Sequence, residues 1–321
     1  MKLIDTARTK LANVAFVGKV VQSTGLPRQL RPTRWPKFAA DALSASFGPH
    51  VAVMFHAYNN PDKECVVEYG DSVRRWTWGQ FDEDVNRLGN ALRDRGVKPG
   101  DRVALMLANC TEYLIAQQAL ARIGSTAVQI GYRLKSGEVA YILSNAEPVA
   151  TIAHASYAQT LRAARREAGD HSPVIFVEQP SAPLTADAGE STWRSALAAA
   201  SARVPKRLRG GDGGGVIVYT SGTTGKPKGA NRNYRKTGLE SAADMMLQVG
   251  MSTHDRHLVV CPLYHSAAPA FVTIMMALGG TVVLLNHFEP ETALRVIEAE
   301  QITCSMMVPT MLVRMCALPA E

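Results

Sequence analysis

The sequence predicts an α/β fold of layered parallel and mixed sheets flanked by helices, on three observations. From residue 64 onward, short β-branched runs alternate with segments of helical apolar spacing, the pattern of parallel strands joined by crossover helices. The composition is globular, with 321 residues, 46% hydrophobic and 20% charged, enough for more than one packed unit. A stretch rich in Pro, Ala, Ser and Asp over 179–191 interrupts the alternation and reads as a surface connection. The expected organisation is therefore an N-terminal amphipathic, basic segment (1–50), a first α/β subdomain (51–190) and a second one (191–321).

Each element has a local reason. Residues 65–69 and 73–76, separated by Gly70-Asp71, read as a β-hairpin. Thr77 caps a helix that runs to about residue 95 and is closed by Gly96. A strand at 101–107 follows, then helix 112–123, strand 126–130, helix 136–145, strand 149–153, helix 156–168 and strand 174–177. Beyond the connection, 193–200 forms a short helix and Val216-Ile217-Val218 a buried strand. The alternation resumes with helix 234–248, strand 258–261, helix 267–278 and strand 281–285. A helix started by Pro290, a strand at 303–306 and a helix opening at Pro309 complete it.

The segment carrying most chemistry is Tyr219-Thr220-Ser221-Gly222-Thr223-Thr224-Gly225-Lys226-Pro227-Lys228-Gly229, directly after the 216–218 strand. A phosphate chain needs glycines that let the backbone approach, N–H and O–H donors, and cations. Gly222, Gly225 and Gly229 supply conformational freedom, Thr220 to Thr223 supply donors, and Lys226 and Lys228 supply charge. It is not a Walker A loop, because Gly225-Lys226 is followed by Pro227 rather than Ser or Thr. A plain Ser/Thr/Gly-rich surface loop seldom combines three spaced glycines with Pro-Lys-Gly after a strand.

Other features bound the function. The formal charge of +7 suits a nucleotide, an anionic acid or an anionic membrane surface. Nucleic acid is disfavoured, because the basic residues are not interleaved with aromatics on one element. Five cysteines without a C-x-x-C pair read as reduced, buried thiols of a cytoplasmic protein. His254 and His257 lack companion ligands and read as ordinary loop and strand residues. No apolar run reaches transmembrane length. Leu3, Ala7, Leu11, Val14, Val17 and Val21 fall at helical spacing with basic residues between them. That pattern fits either a helix packed on its own domain or a cationic helix in peripheral contact with a membrane.

The eleven-residue loop resembles, position for position, the phosphate-binding signature of the adenylate-forming enzymes, the acyl-CoA synthetase or AMP-binding family. The similarity extends to Gly100-Asp101-Arg102-Val103-Ala104, to the region around Arg133-Leu134-Lys135, to Pro262-Leu263-Tyr264-His265-Ser266-Ala267 and to Val308-Pro309-Thr310. Together these resemble the fatty acyl-CoA ligase branch. The resemblance implies ATP-dependent activation of a carboxylic acid, a long-chain fatty acid by expectation, through an acyl adenylate to acyl-CoA. It implies ATP, Mg²⁺ and coenzyme A as cofactor and co-substrates. Thr220, Ser221, Gly222, Thr223, Thr224, Gly225 and Lys228 would hold the phosphates, and Thr220 would face Mg²⁺. His265 would border the carboxylate near the α-phosphate, as a catalytic residue or a gate. Helix 267–278 would either wall an acyl tunnel or serve as a core helix.

The chain departs from the family in lacking the family's Tyr-Gly-x-Thr-Glu and Thr-Gly-Asp segments and its mobile C-terminal domain. It therefore reads as an incomplete large domain, inactive alone. Two alternatives stay open: a truncated, non-catalytic protein that binds nucleotide or acyl ligand, and an acyl-AMP ligase that loads a carrier protein.

Overall fold

A computed structural model describes residues 31–45, 48–180, 182, 184–208, 210, 214–220, 228–233 and 248–319. The amphipathic pattern within 1–30, the centre of the glycine loop (221–227) and residues 234–247 of the helix expected over 234–248 lie outside the described residues.

Two helices come first, α1 (Trp35–Ser44) and α2 (His50–Asn59). The hairpin is β1 (Glu64–Tyr69) and β2 (Val73–Thr77), followed by α3 (Trp78–Asp94). Thr77 caps α3 as its sequence requires: its Oγ1 accepts from Gln80 N while Gln80 Oε1 accepts from Thr77 N, two otherwise orphaned donors satisfied reciprocally. Then come β3 (Arg102–Met106), α4 (Thr111–Ile123), β4 (Thr126–Gln129), α5 (Ser136–Ala146), β5 (Ala150–His154), α6 (Ala158–Ala168) and β6 (Val174–Val177). The remaining elements are β7 (Glu190–Thr192), α7 (Trp193–Ala198), β8 (Gly215–Thr220), β9 (Lys228–Asn233), β10 (Arg256–Val259) and α8 (Ala267–Leu278). They end with β11 (Thr281–Leu285), α9 (Pro290–Ala299), β12 (Cys304–Met306) and α10 (Pro309–Cys316).

The strands form two sheets, a seven-stranded one in the order β7-β6-β5-β3-β4-β8-β9 and a five-stranded one in the order β12-β10-β11-β1-β2. All neighbouring pairs are parallel except β8 with β9 and β1 with β2, so each sheet is parallel with one antiparallel edge strand. The sheets are not consecutive in the chain. Hairpin β1–β2 joins the sheet of β10, β11 and β12, whereas β8 and β9 complete the sheet begun by β3. The surface connection at 179–191 therefore leads into β7 of the same sheet and does not mark a change of sheet.

One core lies between the sheets, where α3 and α4 are packed; every residue of α4 is buried. A second covers the opposite face of the seven-stranded sheet with α5 and α6. Cysteines 65, 110 and 261 are buried, but Cys304 is half-buried and Cys316 exposed, so the expectation of buried thiols fails for α10, which carries no buried residue. His257 sits in β10 with its ring stacked on Phe271, and His254 is in the preceding turn.

Candidate active site at the strand C-termini

Both sheets offer a crevice where consecutive connections leave in opposite directions. In the seven-stranded sheet the chain passes from β3 to β4 on one side, then returns past β3 to β5. In the other it passes from β10 to β11, then back beyond β10 to β12. Such switch points, at the carboxyl ends of parallel strands, are where open α/β sheets bind ligands.

The glycine loop starts at the carboxyl end of β8, which pairs with β4 and stands two strands from β3. Thr220 is the last residue of β8 and pairs with Lys228, the first of β9, so 221–227 connects two antiparallel strands. Lys228 is exposed. Ser221, Gly222, Thr223, Thr224 and Gly225 lie outside the described residues, as does the Thr220 side chain. Gly229, assigned a conformational role from sequence, is instead a regular strand residue opposite Tyr219. A Cβ there would lie 3.0 Å from Ile217 Cγ2 and 3.3 Å from Tyr219 Cζ, so the glycine answers to close packing and not to a left-handed φ. Tyr219 in turn donates to Asn145 Oδ1 at 2.7 Å, fixing the end of β8 to α5.

His265 is carried by the connection from β10 to α8 and is exposed, two residues before the helix. That connection is clamped from the other sheet. Asn109, just past β3 and 2% exposed, accepts from Leu263 N at 2.9 Å and donates to Cys261 O at 3.1 Å. Tyr113 of α4 donates to Leu263 O at 2.8 Å, and the Gln129 amide at the end of β4 donates to Tyr264 O at 2.9 Å. Sequence reasoning missed these three. The one local signal for Asn109 and Gln129 is a polar residue at the end of an apolar run, which many loops share.

An aromatic row completes the rim. Tyr264 packs edge-on against Tyr132 with centroids 5.4 Å apart, Tyr132 stacks on Tyr157 at 5.3 Å, and the His265 ring lies 4.4 Å from Tyr264. Gly131 permits this: a Cβ at that position would meet Tyr264 Cε2 at 3.2 Å. Register then relates the loop to His265. Gln129 of β4 is level with Val218 of β8, so Gly131 and Thr220 each stand two residues beyond the same rung, with Tyr264 against the former.

Electrostatics keep His265 neutral. Partial desolvation, and then the Arg133 charge, hold its imidazole below the ordinary value of 6.5. Arg133 itself lies 5.6 Å above the Tyr132 ring. Burial pushes the Tyr157 hydroxyl up to about 12. Among the described residues the His265 ring makes no hydrogen bond, and no group of three or more His, Cys, Asp or Glu could hold a metal ion.

Behind the rim, the seam between the sheets is held by charge. Arg74 of β2 donates to Glu68 of β1 at 2.8 Å and to Glu112 of α4 at 2.7 Å, both carboxylates being buried. Glu68 Oε2 also accepts from Thr111 N and Oγ1 at 2.8 Å. His154, ending β5, is 2% exposed, and its imidazole is lowered to about 4 by burial, with Glu68 opposing and Arg74 and His287 adding to the shift. A separate cleft of about 300 Å³, lined by Arg75, Trp76, Gln80, Glu83 and Asp84, shares no residue with this rim.

Comparisons with known proteins agree with this arrangement. The AMP-binding enzyme family model matches residues 54–321. Crotonobetaine/carnitine–CoA ligase of Salmonella paratyphi A is 30% identical over 290 residues, covering 87% of this chain and 52% of that protein. Long-chain-fatty-acid–CoA ligase FadD13 of Mycobacterium tuberculosis is 30% identical over 253 residues, covering 79% and 48%. The inhibitor-bound crystal structure of the N-terminal domain of FACL13 from Mycobacterium tuberculosis superposes with a TM-score of 0.73 at 28% identity, covering 85% of this chain and 65% of that one. The chain spans about half the length of the curated relatives it matches. With the family model running through the glycine loop, the clamped β10–α8 connection and both sheets, the chain belongs to the AMP-binding enzyme family.

Proposed function

We propose that this chain forms the phosphate-binding and acid-binding part of an ATP-dependent carboxylate–CoA ligase whose acid is a long-chain fatty acid. The observation that carries the reading is the register of β4 and β8: Gln129 is level with Val218, and two residues further on stand Gly131, against Tyr264, and Thr220, where the proposed phosphate loop begins.

A carboxylate is a poor electrophile, because its charge repels nucleophiles and it has no usable leaving group. In the first step one carboxylate oxygen bonds to the α-phosphorus of ATP and the bond to the β-phosphate oxygen breaks, releasing pyrophosphate. In the second, the thiol sulfur of coenzyme A bonds to the acyl carbon, AMP leaves, and the thiol proton passes to solvent. The protein's part is positioning and charge stabilisation. Donors from Thr220 to Thr224, with Gly222 and Gly225 allowing close approach, hold the β- and γ-phosphates, and Lys228 adds a cation. Thr220 is the residue assigned to Mg²⁺. His265, neutral at pH 7, donates to or gates the carboxylate. The fatty acid assignment is supported by the apolar α8 directly after His265, with Val272, Met275 and Met276 buried, and by the similarity to FadD13.

Pyrophosphate release by the full-length protein with a panel of acids from acetate to palmitate, and with aromatic acids, tests this. The expected result is ATP-dependent release that is fastest with long-chain acids and acyl-CoA formation when coenzyme A is added. Release with aromatic or short acids only would overturn the fatty acid assignment. No release with any acid would overturn the ligase reading.

A further inference from the structure

Helix α1 turns its apolar side outward. Phe38 anchors it to α2, with ring centroids 5.9 Å from Phe55 and 6.0 Å from Tyr58. Lys37 Nζ donates to Asp41 at 3.1 Å and to Tyr58 Oη at 2.6 Å, and Arg31 N donates to Asn59 Oδ1 at 2.7 Å. These contacts fix which side of α1 meets solvent. Trp35, Pro36, Ala39, Ala40 and Leu43 are all exposed and, at 100° per residue, cover an arc of about 140°. Trp35 is 45% exposed and Leu43 80%, the most exposed large apolar side chain among the described residues.

Charge singles out what covers this arc. The first 45 residues carry eight basic and two acidic side chains, a net +6, against +7 for the whole chain. The rest of the protein is thus nearly neutral, and of those eight basic residues Arg31 and Arg34 stand just before α1 and Lys37 lies in it. An exposed Trp and Leu flanked by basic side chains match an anionic lipid interface, where the indole sits at headgroup level and the cations meet lipid phosphates.

We propose that α1 is a peripheral docking surface for an anionic phospholipid bilayer, with Trp35 and Leu43 inserted and Arg31 and Arg34 on the headgroups. The surface shares no residue with the aromatic rim and is independent of the ligase reading.

Sedimentation of the full chain with vesicles of phosphatidylcholine alone, and of equal parts phosphatidylcholine and phosphatidylglycerol, tests it. The wild type is expected to sediment with the anionic vesicles only and to be released by added salt. Leu43→Asp should lower partitioning roughly ten-fold, and Arg34→Ala roughly five-fold, with thermal unfolding unchanged because both side chains are exposed. Equal binding to neutral vesicles, or undiminished binding by Leu43→Asp and Arg34→Ala, would overturn the proposal. So would light scattering that shows a dimer dissolved by Leu43→Asp, which would assign the face to a second copy of the chain.

Discussion

The Asn109 side chain holds the backbone of Leu263, accepting from its N–H at 2.9 Å while donating to Cys261 O. One buried amide from the seven-stranded sheet thereby fixes the loop of the other sheet that carries Tyr264 and His265. Asn109→Ala leaves a buried N–H and a buried carbonyl without that partner, at a cost of about 1–3 kcal/mol. Urea unfolding should show that loss, and the KM for the acid should rise more than the KM for ATP. A variant as stable as the wild type would mean that the clamp is dispensable.

Lys228→Ala and Thr220→Ala should act on ATP, and His265→Ala on the acid. In the proposed site each of the first two would lose a donor to charged phosphate oxygens, worth about 1.5–3 kcal/mol, or roughly ten- to a hundred-fold in kcat/KM. Steady-state kinetics of the full-length protein, with ATP and acid varied separately, distinguishes the two sides of the site. Unchanged parameters in all three variants would remove the site assignment.

Arg74→Met should destabilise the seam. It strips two buried carboxylates, Glu68 and Glu112, of their cation. Breaking a fully buried pair costs about 3–5 kcal/mol; since Arg74 is 40% exposed, about 2–4 kcal/mol is expected. Urea unfolding at neutral pH measures the deficit. A variant as stable as the wild type would contradict this account.

Acid should weaken the fold through three buried histidines. His56, His154 and His257 are each lowered from 6.5 to about 4, with burial the main cause. Their folded-state values lie below the unfolded one, so the unfolded chain binds more protons between these limits and stability rises with pH there. The contribution is complete above about pH 6.5 and is lost as pH falls to about 4. Denaturant midpoints measured from pH 7 down to pH 4.5 should fall steadily. A flat profile between pH 6.5 and 5 would show that these rings are not held neutral.

The strand and helix alternation, the Thr77 cap and the hydroxyl-glycine loop were all readable in the sequence, because each is set by residues within a few positions of one another. Turn, cap and periodicity are local properties. That the loop begins at a strand end followed from the run before it, whereas β9, which pairs Lys228 with Thr220, had no such local signal. Tertiary structure alone decided that β1 and β2 join β10, β11 and β12 in one sheet, because β1 pairs with β11 across more than two hundred residues and any apolar parallel strand satisfies the same backbone donors. It also decided that Gly229 is needed for packing against Ile217, that Cys316 faces solvent and that α1 presents Trp35 and Leu43 outward. The clamp on the His265 loop belongs to the same class. Asn109 and Leu263 are 154 positions apart, and a hydrogen bond between such residues exists only once two sheets have been packed face to face.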